Sequence, residues 1–258
     1  MAELLFWPAL IAYGEAAVAY AGDARHPGSL GRLATWGVRI GWLVQTALLV
    51  VQAARADGFP WDTWAGSLNL FVWFVVGTYL IWGCRPRFRL LGLAVMPLAA
   101  VLFVVARVGG GTSAGESSDF GNLFLVLHVG LVLAAFAGFT LAAGLAGLYL
   151  WQESRLKRRA ADILRLRLPP LASLERLTWR TIAVSLPLLT LGLAAGVIRQ
   201  RRDGGSLDAL EFVTLLTWLV YSAFLVSRPS GRRAAYLALG GFALVIIVRL
   251  ALAGSHFT

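Results

Sequence analysis

Three imidazoles and a set of arginines carry most of the chemistry open to this chain. His128 lies near the start of the apolar run NLFLVLHVGLVLAAFAGFTLAAGLAGLYLW, His256 follows another apolar run in LALAGSHFT, and His26 stands apart in a short polar segment. A neutral imidazole can ligate a metal, relay a proton or exchange hydrogen bonds, and one histidine near a helix end leaves all of these open. Between the two later histidines, Arg199, Arg201 and Arg202 cluster in RQRRDGGSLDALE, and Arg249 precedes His256 by about two helical turns. These guanidinium groups either pair with Asp203, Asp208 and Glu211 of the same segment or bind an anionic ligand. Other chemistries have nothing to rest on. Cys84 is the single cysteine, which excludes an internal disulfide, a CxxC pair and a zinc cluster built on thiolates. No GK[ST] follows the glycines of GGGTSAGESSDFGN, and the chain has no GxSxG or HExxH and no paired carboxylates in a shared pocket.

The elements that must position these residues are membrane spans. Hydrophobic residues make up 59% of the chain and charged ones 14%, and the mean hydropathy is +0.74. Such a composition belongs to a polytopic membrane protein rather than a soluble domain. Apolar runs at 4–20, 33–53, 64–82, 90–108, 122–151, 181–198, 209–227 and 234–252 predict an all-α bundle of about eight transmembrane helices. The loops leave no room for a soluble domain, so residues 1–258 are expected to form one integral membrane domain. As a helix, the run 122–151 reaches about 45 Å against roughly 30 Å of hydrocarbon. It spans and overshoots, and with Trp151 at one interface His128 falls near the other. Residues 1–21 lack the positive start of a signal peptide, with Glu3 and no Lys or Arg before Arg25, and read as a retained first span.

Lys and Arg set the orientation. With the N-terminus outside, sixteen of them fall in the inner loops, from Arg25 and Arg32 through the run between Arg155 and Arg180 to Arg228, Arg232 and Arg233, against six on the outer side. The positive-inside rule therefore predicts both termini outside, with His128 and His256 on one outer face and His26 on the inner side. Because the net charge of +10 is spread between spans rather than along one face, it carries no nucleic-acid reading. Glu15 and Arg39 lie at matching depths in the first two spans, which predicts a buried ion pair between them.

Small residues at four-residue steps, Gly130, Ala134 and Gly138, then Ala143 and Gly147, and the GxxxG of Gly192 and Gly196, predict close helix packing. The stretch QESRLKRRAADILRLRLPPLASLERLTWR alternates cations with leucines around Pro169 and Pro170, and reads as an interfacial segment in contact with anionic membrane lipid. Docking of a cytoplasmic partner is its other reading.

Two outer imidazoles, nearby arginines, many aromatics and an apolar bundle together suggest a planar, apolar, dianionic ligand with a metal at its centre. Haem has those properties. Two imidazoles can occupy both axial positions of the iron, arginines can pair with the propionates, and aromatic rings can pack on the porphyrin.

Three stretches then resemble the integral membrane cytochrome c assembly proteins that handle haem, and within them the shorter HemX-like branch. The first is LHVGLVLAAFAGFTLAAGLAGLYLWQESRLKRR with RLPPLASLERLTWRTIAVSLPLLTLGLAAG, the second LDALEFVTLLTWLVYSAFL, and the third GRRAAYLALGGFALVIIVRLALAGSHFT. They lie within 122–258, and the first four spans match in layout only. The resemblance implies a haem site on the outer face, with His128 and His256 as axial ligands on either side of a tryptophan-rich signature. Of that signature Asp208, Glu211, Thr217 and Trp218 are present, whereas Leu207, Ala209 and Val213 replace a tryptophan, a proline and a tryptophan. No WGxYW-like run precedes it, Arg249 stands where asparagine is usual, and no histidine lies in the earlier spans, where full-length haem-delivering members have one.

The expected function is therefore haem binding or handling in cytochrome c maturation, in a multi-pass protein of the bacterial cytoplasmic membrane without catalytic apparatus of its own. His128 and His256 would bind the iron, with Arg199, Arg202, Arg249, Asp208 and Trp218 around the ligand, and other cytochrome c assembly membrane proteins as partners. The competing expectation is a regulatory or scaffolding membrane protein of tetrapyrrole synthesis with a vestigial haem site. A secondary transporter ranks third, because no inverted repeat is evident and few polar residues lie in mid-bundle.

Overall fold

The computed structural model describes residues 2–25, 28–55, 60–61, 63–82, 89–112, 123–158, 169–203 and 209–254, apart from side chains at several helix ends, among them those of Arg199, Arg202 and Arg249. Eight helices run through them: α1 (Ala2–Arg25), α2 (Leu30–Arg55), α3 (Trp64–Trp82), α4 (Arg89–Val108), α5 (Leu123–Lys157), α6 (Leu171–Asp203), α7 (Ala209–Ser227) and α8 (Gly231–Gly254). Six are long and apolar enough to cross a membrane, and Glu211–Ser227 is a shorter apolar helix. No strand occurs among the described residues. The protein is a multi-pass helical membrane protein, because only helices satisfy their own backbone hydrogen bonds within hydrocarbon unless a barrel closes.

Two compact units divide the chain, one built on α1 to α4 and one on α5 to α8, with the change at Gly121 to Asn122. In the first, α1 packs on α2 and α4, and α3 on α2 and α4. Small residues let the helices approach: Gly41 sits beneath the ring of Tyr13, Gly37 against Ala12 and Ala16, and Gly92 against Tyr20 and Tyr79. At the end of α4, Gly110 (φ 83°) turns the chain in the left-handed region. Gly111 N–H donates to Ala106 O at 2.7 Å and Gly110 N–H to Arg107 O at 3.1 Å, which together close the helix as a Schellman motif.

This unit also holds a connected set of buried amides. Tyr13 Oη–H donates to Gln45 Oε1 (2.7 Å), and Gln45 Nε2 donates to Asn69 Oδ1 (2.9 Å) and to the Asn69 carbonyl (3.1 Å). Asn69 Nδ2 donates to Gln52 Oε1 and to Gly111 O, each at 3.1 Å, and Gln52 Nε2 reaches the same carbonyl at 3.1 Å. Polar side chains are therefore more frequent inside the bundle than apolar spans imply, and here they tie α1, α2, α3 and the turn after α4 together.

The expected Glu15–Arg39 pair is not among the ion pairs of the described residues. The buried face of α1 carries Phe6, Ala9, Tyr13, Ala16 and Tyr20, and Glu15 falls on the exposed face with Ile11 and Val18. Arg39 is likewise exposed, with its guanidinium carbon 5.2 Å from the Trp36 ring centre. Matching depth aligned the two residues along the axes, but their angular positions turn both away from the α1–α2 contact.

In the second unit α5 packs on α6 and α8, and α7 on α6 and α8. Phe139 of α5 and Tyr221 of α7 stack with ring centres 3.8 Å apart, and Tyr221 Oη–H donates to Ala238 O of α8 at 3.2 Å. Helix α6 starts earlier than the run 181–198. Pro170 O accepts from Ser173 N–H (2.8 Å) and Leu174 N–H (3.2 Å), so 171–180 form its first turns and continue the span rather than precede it. The prolines mark that start, because Pro suits a position before or in the first turn and not an interior one. Residues 159–168 lie outside the described residues. At the other end Arg199, Arg201 and Arg202 belong to α6 and not to the following loop.

Candidate functional site

Helices α5 and α6 lie antiparallel in a single register that sets Gly138 against Ser185, Val132 against Gly192 and His128 against Gly196. A Cβ on Gly138 would collide with Ser185 Oγ, and one on Gly192 would come within 2.8 Å of Val132 Cγ2. Gly130 and Gly147 meet nothing within 4 Å. The small-residue steps therefore divide into positions where helices touch and positions where they do not, and the closest contacts lie along Gly138, Gly192 and Gly196.

His128 is the residue those last two glycines accommodate. Its Nδ1 lies 2.7 Å from the carbonyl oxygen of Gly192, and a Cβ on Gly196 would sit 2.6 Å from Nδ1 and 2.8 Å from Cε1. The imidazole thus rests against bare helix backbone. A carbonyl oxygen only accepts, so Nδ1 carries a proton and donates it, and in the neutral ring Nε2 keeps its lone pair. That nitrogen has no partner among the described residues. A histidine whose Nδ1–H is held by a backbone carbonyl, with Nε2 left open, is in the tautomer and orientation of a metal ligand. Gly192 and Gly196 form the surface on which His128 rests, where their spacing announced only packing. The signal that could have found them is the register: a GxxxG at the end of α6 facing the one histidine of α5.

The remaining candidates are distributed as follows. Trp218 of α7 donates its Nε1–H to Thr190 Oγ1 at 2.8 Å, and Thr190 in turn donates to Leu186 O at 2.9 Å. At about 100° per residue, Thr190 falls on the side of α6 turned away from Gly192 and Gly196, so Trp218 and His128 contact different faces of one helix. Thr217 is buried and bonds back to Val213 O at 2.8 Å, while Glu211 is part-buried at the start of α7 and Arg201 is exposed near the end of α6. Arg107 of α4 lies 5.9 Å from the ring centre of Phe6. The backbones of Arg199, Arg202 and Arg249 lie in α6 and α8, but their side chains, together with Asp208, His256 and His26, lie outside the described residues. The described residues contain no group of three or more His, Cys, Asp or Glu that could hold a metal ion.

Comparison with known proteins gives one answer. Residues 61–255 match the family described as Cytochrome C assembly protein, which reaches back beyond the 122–258 region where the sequence motifs lie. Protein HemX of Brevibacillus brevis is 30% identical over 205 residues, covering 77% of this chain and 75% of that protein. Cytochrome c biogenesis protein CcsA of Guillardia theta is 26% identical over 231 residues, covering 80% and 77%. The CcsA of Prochlorococcus marinus strain MIT 9303 is 26% identical over 256 residues, covering 85% and 80%. The helical membrane architecture and these matches agree, and the chain belongs to the cytochrome c assembly protein family, in its HemX-like branch.

Proposed function

We propose that this protein binds haem at its outer face in the service of cytochrome c maturation, and that His128 and His256 would hold its iron. It acts as one integral membrane domain of the bacterial cytoplasmic membrane, with both termini outside. The observation that carries the reading is the contact of His128 Nδ1 with Gly192 O at 2.7 Å, with Nε2 unpartnered among the described residues and so open to a metal. The described residues hold no group of three or more His, Cys, Asp or Glu around His128, which suits a metal that brings most of its ligands with it, as iron does in a porphyrin. Bound there, haem would supply redox-active iron, and the protein's contribution is to hold one ligand nitrogen in place. Arg249, Arg199 and Arg202 are the candidates to pair with the propionates, and Asp208 and Trp218 remain from the family signature. Family membership supports the same process, since the matched CcsA proteins are named for cytochrome c biogenesis. Other cytochrome c assembly membrane proteins are the expected partners.

Haem titration of the detergent-purified chain tests this reading. Wild type should develop the Soret and α/β bands of six-coordinate, bis-imidazole iron, His128→Ala and His256→Ala should lose them, and His26→Ala should match wild type. A wild-type protein that takes up no haem in either redox state would overturn it.

A further inference from the structure

At the end of the second unit where α5 meets α6 and α7 meets α8, a cavity of about 360 Å³ opens between the start of α6, the end of α7 and the start of α8. Its floor is apolar, with Phe224 (1% exposed) and Ala234 (5%). Its walls hold Arg176 and Arg228, and Trp179 stands beside them, 37% exposed. The cations at this end have divided fates. Glu153 takes two of them, Lys157 at 2.7 Å and Arg232 at 3.2 Å. Arg176 and Arg228 make no ion pair among the described residues. The carboxylate in the wall, Glu175, is engaged by the backbone: its Oε1 accepts from Gly231 N–H at 3.1 Å, at the first residue of α8.

Arg228 stands out for a second reason. It has φ 43°, the single positive φ of a described non-glycine residue. The left-handed region costs an L-residue with a side chain on the order of 1 kcal/mol, and such strain persists where the surroundings fix it. Here it belongs to the cap of α7, where Arg228 N–H donates to Phe224 O at 3.1 Å and sets the backbone of Arg228 at the rim of the cavity.

We infer that this cavity is a binding site for an anionic phospholipid, with the phosphodiester held by Arg176 and Arg228 and the glycerol and upper acyl carbons lying over Phe224 and Ala234. Guanidinium groups bind phosphate oxygens in pairs of charge-assisted hydrogen bonds, and indole rings such as that of Trp179 favour the boundary between headgroup and hydrocarbon. The apolar floor separates a lipid from a soluble phosphate, which would gain nothing from it. Glu175 favours a monoanionic phosphodiester over a dianionic monoester, whose second charge it would repel. The site depends neither on haem nor on which side of the membrane this end faces.

Native mass spectrometry of the full-length protein in detergent tests it, with phosphatidylglycerol as probe and phosphatidylcholine and inorganic phosphate as comparison arms. Phosphatidylglycerol should be retained at concentrations where the other two are not. The variant Arg176→Gln/Arg228→Gln should lower its retention about tenfold or more, whereas Arg155→Gln/Arg158→Gln, with the same loss of charge outside the cavity, should stay within about twofold. Glu175→Gln, which keeps an acceptor for Gly231 N–H and removes the negative charge, should raise retention. Should the double glutamine variant fail to fold, Glu175→Gln and Arg176→Lys/Arg228→Lys carry the test, the first with increased retention and the second, which keeps the charge but loses the paired guanidinium bonds, with reduced retention. Equal losses in the two double glutamine variants, equal retention of phosphatidylcholine, or retention of inorganic phosphate to match the lipid would each overturn the assignment.

Discussion

The two units treat polar side chains in opposite ways. In the unit of α1 to α4, three buried amides satisfy one another: Gln45, Asn69 and Gln52 each use both the donor and the acceptor end, and the chain of bonds finishes on Tyr13 and the carbonyl of Gly111. In the unit of α5 to α8, His128 spends one nitrogen on Gly192 and has no partner for the other among the described residues. A closed network in a low-dielectric interior stabilises and specifies packing, because any member left without its partner is costly. A ring held by one nitrogen with the second exposed for use has the character of a binding group. The difference suits a structural role for the first set and, on the proposal above, a ligand role for the second, although both consist of polar residues in apolar spans.

The largest effect is expected where the closed network is broken. Asn69→Leu removes one hydrogen bond from each of Gln45, Gln52 and Gly111, and at about 0.5–1.5 kcal/mol for each the loss should reach about 2–4 kcal/mol. Thermal unfolding in detergent reads it, and the folded fraction should keep the haem spectrum expected of wild type. A loss under about 1 kcal/mol would mean that water reaches these amides.

Next comes the glycine bed of the histidine. Gly196→Val places a branched side chain where the imidazole lies, and should weaken haem uptake about tenfold, roughly 1.4 kcal/mol, with Gly196→Ala intermediate. The control is Gly130→Ala, which has open space for its methyl group and should bind haem as wild type does. If Gly196→Val binds haem unchanged, the ring is not positioned by this contact.

Smaller changes are expected at Trp218. Trp218→Phe forfeits the bond to Thr190 and should lower stability by about 1 kcal/mol. With its indole tied to the face of α6 away from Gly192 and Gly196, the Soret band should not move. A displaced band would bring Trp218 back to the ligand, as the family signature implied. The smallest effects belong to Glu15 and Arg39. Glu15→Gln should fall within about 0.5 kcal/mol of wild type, and a double-mutant cycle with Arg39→Gln should show coupling below about 0.5 kcal/mol. Coupling of several kcal/mol would restore the buried pair that matching depth suggested.

The architecture was legible because hydrophobic length is what a bilayer selects: the runs around Phe71, Val95, Phe136 and Leu189 each had to be a helix. Helix ends were less so. Hydropathy falls at Thr181, but the backbone continues helical from Leu171, since Glu175, Arg176 and Arg180 are good helix formers outside the hydrocarbon. Rotation about the helix axis was the weakest point. Glu15 and Arg39 were paired on depth and misplaced in angle, because apolar residues surround a transmembrane helix on every side and leave no polar face from which to read its orientation. The Gln45, Asn69 and Gln52 network escaped notice for a related reason, since Gln45 and Gln52 lie two turns apart in α2 and meet Asn69 of α3 only in three dimensions. For the site, residue type pointed to His128, while the register of α5 on α6 was needed to show why Gly192 and Gly196 lie beneath it.

The most direct test is chemical rescue of the absent ring. Haem-loaded His128→Ala should lose the low-spin ferric signal in low-temperature electron paramagnetic resonance, and millimolar free imidazole should restore it by filling the position that Nε2 of His128 would hold. An unchanged low-spin signal in His128→Ala without added imidazole would contradict the role assigned to His128.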